Sequence, residues 1–571
     1  MFSTDWETSP RRYEVVIERD RRVPVGNGVT LDCDIFRPDG PGRFPVILAA
    51  HPYSKSAQSQ PMLPEAFSYA RAVMEAGDYN FYVRRGYAFV ILNIRGTGAS
   101  DGIFSNRNPD EQTIRDLYEA VEWLARQEWS NGNVGMFGVS YFSVVQKRLA
   151  ALRPPHLKTI FAMYGWTDGY RDLFYHGGIF AYGFFSAWLK NRGAGMRIEK
   201  DLRTEMGEEA YERALAALLA DRELQNVPML VDVLAAPEMV PHPLLVEVLM
   251  HPMDDAYHRN RTVDFSDPDP IPAYFGADWG MFSFHMPGDV RAFQSWKGVR
   301  RLTMGPPIYL DRPVYQYAYE SLRWFDHWLK DVDNGILDEP PLKLFIVGAD
   351  EWKMADDWPV PGTRWTPFYL HEGGWLSERE PWSEEARSTY DDAPGAHGGV
   401  AFTTPKIVEN TEICGPIVLN FYASCSDEEA LWFASLWLVE NDGEEQLLTR
   451  GWLRGSQRAL DEKNSKRWQP RHKHDAREPL KPGDIYFFNV EIRPYGILLK
   501  AGQRLRLKIR SADDEIPSNY NELLASGHLV NPRVSTLTIH HNLKYPSSLL
   551  LPVTRGNLVG TFFSGGERKP V

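Results

Sequence analysis

The stretch NVGMFGVSYFSVVQ, Asn133 to Gln146, sets a serine where an apolar run passes into a helical pattern. A nucleophile elbow needs that context: a strand, a sharp turn that strains the serine outward, and a helix whose N-terminus faces the reaction centre. Ser140 is the candidate nucleophile, and Gly138, two residues earlier, leaves room for strand and helix to approach. Phe142 stands two residues after it, where a second glycine is usual. A serine hydroxyl attacks a carbonyl only when a base takes its proton, so a histidine must be brought to it from elsewhere in the chain.

The elements that would position these groups can be read from periodicity. Residues 12–38 alternate in polarity around a Gly-Asn-Gly signal and form a hairpin. FPVILAAHPYSK and GYAFVILNIRGTGAS open on short continuous apolar strands, the kind buried on both faces of a parallel sheet. DEQTIRDLYEAVEWLARQEW is a helix with Ile114, Leu117, Val121 and Leu124 on one face, and GNVGMFGVS and LKTIFAMYGW are further strands. The alternation predicts an α/β domain over residues 1–170. Residues 171–255 read as amphipathic helices without intervening strands, a helical cap. IPAYFGADW, RRLTMGPP and the helix YAYESLRWFDHWLKDV return residues 256–340 to the first domain. From 341 to 571, beginning with PLKLFIVGADEW, strands follow at short intervals, which predicts a β-sandwich of jelly-roll type.

A chain of 571 residues needs more than one core. The net charge of -13 argues against nucleic acid or an anionic membrane as partner, since both are gripped by clustered Lys and Arg. A small neutral or weakly charged molecule is the expected ligand. Cys33, Cys414 and Cys425 are scattered, which fits a reducing compartment. The N-terminus shows no signal-peptide pattern, and no run reaches ~18 apolar residues, so a cytoplasmic protein is expected. No histidine–carboxylate cluster has metal-ligand spacing. RGTGASDG lacks the Gly-Lys-Ser/Thr ending and third glycine of nucleotide loops, so neither metal nor nucleotide cofactor is expected.

HPYSK (His51–Lys55), RGTGASDG (Arg95–Gly102), WSNGNVGMFGVSY (Trp129–Tyr141), LRWFDHWLK (Leu322–Lys330) and LLTRGWLRGSQR (Leu447–Arg458) resemble the cocaine esterase-like (CocE/NonD) hydrolases. These are relatives of the X-prolyl dipeptidyl aminopeptidases and α-amino acid ester hydrolases. The resemblance implies an α/β-hydrolase domain with a helical cap and a C-terminal jelly roll. It puts Ser140 at the nucleophile's place, and the Tyr141 N–H and the Tyr53 phenol at the oxyanion hole. Relatives often dimerise, which leaves a homodimer an open expectation.

The resemblance breaks at the other two triad positions. The family histidine closes a Gly-Pro-x-x-His segment, but here GPPIY puts Tyr309 in its place. The family acid ends Gly-Trp-x-Asp; aligning Trp279 leaves Met281 there, unless a register shift makes Asp278 the acid. A phenol with pKa near ~10 is a poor base at neutral pH. His285, just after the strand that should end at the active-site edge, is the first substitute, and a cap-contact or core role is its bland alternative. His176, with Asp168 upstream, lies where the family's lid enters the pocket. With Trp166 and Trp279 these two are candidate substrate contacts, and the aromatic stretch Phe174–Leu189 suggests a bulky apolar substrate.

The leading expectation is a serine hydrolase of esters or amides with a displaced base. The alternatives are a cofactor-free lyase, isomerase, cyclase or C–C bond hydrolase that uses the oxyanion pocket with Tyr309 or His285 moving a proton, and a non-catalytic binding protein.

Overall fold

The computed structural model describes residues 7–59, 75–105, 109–183, 197, 202–239, 242–281, 283–307, 313–514 and 527–556. Asn27 and Gly28 take positive φ of 62° and 71°, left-handed geometry within the three-residue turn Gly26–Gly28. They join β1 (Val15–Val25) to β2 (Val29–Pro38) as an antiparallel pair. β3 (Phe44–His51) and β4 (Ala88–Asn93) are buried at every residue, as unbroken apolar runs require. β5 (Ser130–Val139) and β6 (Leu157–Met163) follow, separated by the helix that begins after Ser140. A small separate hairpin, β7 (Tyr175–His176) and β8 (Ile179–Phe180), precedes β9 (Ala273–Asp278), β10 (Arg300–Gly305), β11 (Leu342–Ile346) and β12 (Glu351–Ala355).

Apart from β7 and β8 these strands form one sheet in the order β1-β2-β4-β3-β5-β6-β9-β10-β11-β12. It is parallel from β4 through β11 and antiparallel at both edges. The chain runs from β3 to β4 on one side and then returns to lay β5 on the other. That makes the β3/β5 junction a topological switch point, where open α/β sheets form their crevice.

Four helices matter for the site or its support: α1 (Glu111–Ala125), α2 (Tyr141–Ala150), α3 (Met286–Ser295) and α4 (Pro313–Lys330). The Asp110 carboxylate accepts from Thr113 N–H at 2.9 Å and caps α1. Ile114, Leu117, Val121 and Leu124 are buried as the periodicity predicts, each burial worth about 1.5–3 kcal/mol.

The structure differs from the sequence reading in three places. The segment read as helices alone contains the β7–β8 hairpin, and its long helix breaks into Leu202–Met206, Glu208–Ala220 and Arg222–Gln225. Gly207 at φ 80° and the capping Asp221 carboxylate account for the breaks. PLKLFIVGADEW, assigned above to the sandwich, forms β11 and β12 and extends the first sheet. The second sheet begins at Arg364–His371 and runs to Ser548–Arg555. Its long strand Thr411–Cys425 pairs with Tyr486–Leu499 and also with Ser548–Arg555, which closes the sheet on itself into a sandwich.

The second sheet is tied directly to the β7–β8 hairpin and to the helical segment. Arg454 donates to Gly178 O and to the Glu223 and Glu429 carboxylates. A Cβ on Gly177 would stand 1.9 Å from Trp452 O, so this contact is backbone against backbone. Among the described residues, no helix is long and apolar enough to cross a membrane.

Candidate active site

Ser140 is held at φ 64°, ψ -119° between β5 and α2. A non-glycine residue in that region costs on the order of 1–3 kcal/mol and persists only when its surroundings fix it. Its N–H donates to Met163 O at 3.1 Å, and its carbonyl accepts from Ser143 and Val144 at 2.9 and 3.1 Å. A Cβ on Gly138 would lie 2.6 Å from that of Phe142. The bulky residue after the serine is thus accommodated by the glycine before it.

His285 is the residue just before α3, and its Nε2 lies 3.2 Å from Ser140 Oγ. Burial depresses the imidazole's proton affinity well below its ordinary value, and the Lys147 ammonium depresses it further. The N-terminus of α3 also carries positive partial charge, which acts in the same direction. A neutral imidazole is the form that can accept the serine's proton.

The loop after β3 brings Tyr53 to the switch point. The Tyr53 N–H donates to His51 Nδ1 at 2.9 Å, and its ring lies 6.4 Å from that of Tyr141. Lys55, two residues on, is buried and pairs with Asp20, Asp34 and Asp32 at 2.5, 2.6 and 3.2 Å. These carboxylates pin the turn that carries Tyr53. Tyr141 opens α2, and a helix provides no internal acceptor for the N–H groups of its first turn.

Asp278 ends β9 with its Oδ1 accepting from Gly280 and Met281 N–H at 2.7 and 3.1 Å and its Oδ2 from the Tyr164 phenol at 3.2 Å. Burial pushes its carboxyl up to about 8 against those hydrogen bonds. Met281 is buried in the short turn after β9. Tyr309 lies outside the described residues, as does the part of the aromatic stretch from residue 184 onward.

The structure brings His285 to Ser140 and the Tyr53 ring to that of Tyr141, the residue after the serine, whereas Asp168, His176 and Trp279 have other protein partners. Asp168 accepts from Tyr170 and Arg171 N–H and pairs with the Arg171 guanidinium at 3.0 Å. It borders a cavity of about 540 Å³, also lined by Arg291, Arg471 and Arg493, that neither Ser140 nor His285 lines. Both His176 ring nitrogens have protein partners, His528 Nε2 at 2.9 Å and Asp172 O at 3.2 Å. Trp279 donates to Phe345 O and packs on Gly496 of the sandwich. The Trp166 backbone lies against Gly288 of α3.

Two residues beside the site escaped the sequence reading. Lys147 on α2 and Asp289 on α3 form an ion pair at 2.5 Å with neither side chain exposed. Burial works against both charges, pushing the Asp289 carboxyl up to about 7 and holding Lys147 below its usual value. The available signal was a lysine within the apolar face VVQKRLA, with an opposite charge four residues after His285.

A strand–serine–helix elbow at the switch point of a mostly parallel sheet, with a histidine beside the serine, defines an α/β-hydrolase. The X-Pro dipeptidyl-peptidase (S15 family) model matches residues 27–306, and that of the X-Pro dipeptidyl-peptidase C-terminal non-catalytic domain matches 334–550. The chain belongs to the CocE/NonD family of hydrolases. The cocaine esterase of Rhodococcus sp. (strain MB1 Bresler) is 26% identical over 595 residues, covering 93% of this chain and 98% of its own length. A CocE/NonD family hydrolase from Staphylococcus aureus superposes with TM-score 0.78 at 25% identity, covering 94% of this chain and 93% of that one. An α-amino acid ester hydrolase shares the fold, with TM-score 0.73 at 19% identity over 96% of this chain and 98% of that one.

Proposed function

We propose that this hydrolase cleaves an ester or amide of a bulky apolar small molecule through Ser140, with His285 as base. The observation that carries the reading is the 3.2 Å approach of His285 Nε2 to Ser140 Oγ at a left-handed elbow. His285 takes the hydroxyl proton as Oγ attacks the carbonyl, and the Tyr53 phenol and Tyr141 N–H receive the developing oxyanion. The imidazolium then protonates the leaving group, and water, activated by the same histidine, releases the acyl group. Burial keeps the resting His285 ring neutral, the form that can accept a proton, although it also lowers the ring's basicity. The name of the cocaine esterase relative supports an aromatic or otherwise bulky substrate.

Hydrolysis of aryl esters by the wild type, with fluorophosphonate labelling of Ser140, tests the reading. Ser140→Ala and His285→Ala are each expected to cost about 10³-fold or more in kcat, and Tyr53→Phe about 10²-fold. Tyr309→Phe is expected to change little. Absence of both labelling and ester turnover in the wild type would overturn it in favour of proton-transfer chemistry.

A further inference from the structure

The buried pair Lys147–Asp289 has no evident purpose in stability. Desolvation offsets the attraction of buried charges, and apolar residues of similar volume commonly serve a fold as well. Its placement, however, repeats that of the Ser140–His285 contact. Lys147 stands seven residues after Ser140, two turns along α2 on the same face, and Asp289 stands four after His285, one turn along α3. The two helices are therefore joined twice along one seam, by Oγ···Nε2 and by Nζ···Oδ1.

Both charges also hold the peptide of Gly165, which follows β6. Lys147 donates to Gly165 O at 2.6 Å, and Gly165 N–H donates to the second Asp289 oxygen at 3.1 Å. Two glycines make room for this junction. A Cβ on Gly165 would lie 2.3 Å from Ser143 Oγ, and one on Gly288 would lie 2.5 Å from Trp166 Cα. Residues 165–167, α2 and α3 meet there with almost no slack. Against the His285 ring stand the Ser140 hydroxyl and the Tyr164 ring from the segment after β6; the Lys147 charge acts on it from farther along α2, and Asp289 lies one turn on along its own helix.

We propose that Lys147 and Asp289 are positioning residues that lock the helix bearing the base to the helix bearing the nucleophile. They perform, through α3 and Gly165, the orienting task that a triad's carboxylate performs by direct contact. The proposal rests on the reading of Ser140 and His285 as nucleophile and base.

The test is the pH dependence of aryl-ester hydrolysis by Lys147→Met/Asp289→Leu, which exchanges the pair for apolar side chains of similar bulk. The expected result is a folded protein with kcat down about tenfold or more and KM within about threefold. The acid limb of its kcat/KM profile moves up by about half a pH unit, because the Lys147 charge that acts on His285 is gone. Lys147→Met alone, in which Asp289 can take up a proton, moves the limb the same way and supplies the readout if the double variant does not fold. A lowered Tm with unchanged kcat and acid limb in the folded variant would overturn the proposal. His285→Ala separates the two claims. Full turnover in that variant removes the base assignment itself. Loss of turnover there, together with wild-type kcat and limb in the double variant, removes only the positioning role.

Discussion

Asp278 shows how a side chain's environment, more than its place in the chain, sets its chemistry. It ends β9, where the acid of an ordinary triad would stand, yet it is buried and receives only neutral donors. With its carboxyl pushed up to about 8 it carries a proton at neutral pH and offers no charge to an imidazolium. Asp278→Asn is therefore expected to change kcat less than about tenfold, whereas the same change in a working triad costs about 10⁴-fold. The sign of its effect on stability also follows. A carboxyl that binds its proton more tightly when folded contributes stability that is full below the unfolded pKa and lost as pH rises towards 8. Denaturant melts at pH 6 and 8 should show a smaller loss of stability on raising the pH in Asp278→Asn than in the wild type. At this scale the turn at Ser140 and the strand end before His285 were legible from sequence, because such features reveal themselves locally. The Lys147–Asp289 pair and the proton on Asp278 were not, since both depend on neighbours more than a hundred residues away.

Among the elements, α3 is where the chain departs most from a standard arrangement, because a helix start delivers the proposed base, His285. Its seat depends on Gly288, where a methyl group would meet Trp166 Cα at 2.5 Å and Gly165 O at 2.6 Å, backbone atoms that cannot swing aside. Gly288→Ala must shift α3, at a cost of about 1–3 kcal/mol in stability. The rate of fluorophosphonate labelling of Ser140 is expected to fall about tenfold or more as the Oγ···Nε2 contact lengthens. An unchanged labelling rate would mean that the seat of α3 does not set that contact. The strands and helices of the first sheet were legible because their periods are strong. β11 and β12 were misassigned for a physical reason: strand pattern gives burial but not partner, and only hydrogen bonding to β10 reveals which sheet they join. The β7–β8 hairpin is two residues a side, too short to leave any alternation.

Across the whole molecule, the junction of the cap segment with the C-terminal domain is built around histidines that are neutral by burial. His176 and His258 approach it from one side and His472 and His474 from the other, with the Tyr170 ring between His258 and His474. Burial lowers the proton affinity of all four, His258 to about 4 and His472 to about 3. In the unfolded chain they would protonate near ~6.5. Stability from this source is thus full above that value and declines as pH falls below it, by up to about 1.4 kcal/mol per histidine per unit. Asp78, Asp254, Asp278 and Asp289 act in the opposite sense, but burial also lowers the proton affinity of His242, His285, His371, His540 and His541, which adds to the four. The expectation is a Tm that drops between pH 7 and pH 5. Hydrogen exchange should rise first in residues 169–180 and 452–474; a uniform rise over both sheets would contradict a junction that yields first.

The strands that lead to Ser140 and His285, β5 and β9, are separated in the sheet by β6 alone. The contact between serine and histidine therefore rests on two strand pairings, with Ser140 directly after β5 and His285 seven residues after Asp278 ends β9. Heat will not erode such a centre gradually ahead of the rest of the enzyme. Turnover should survive until the sheet melts and then vanish with it, so that catalysis serves as a thermometer of the fold.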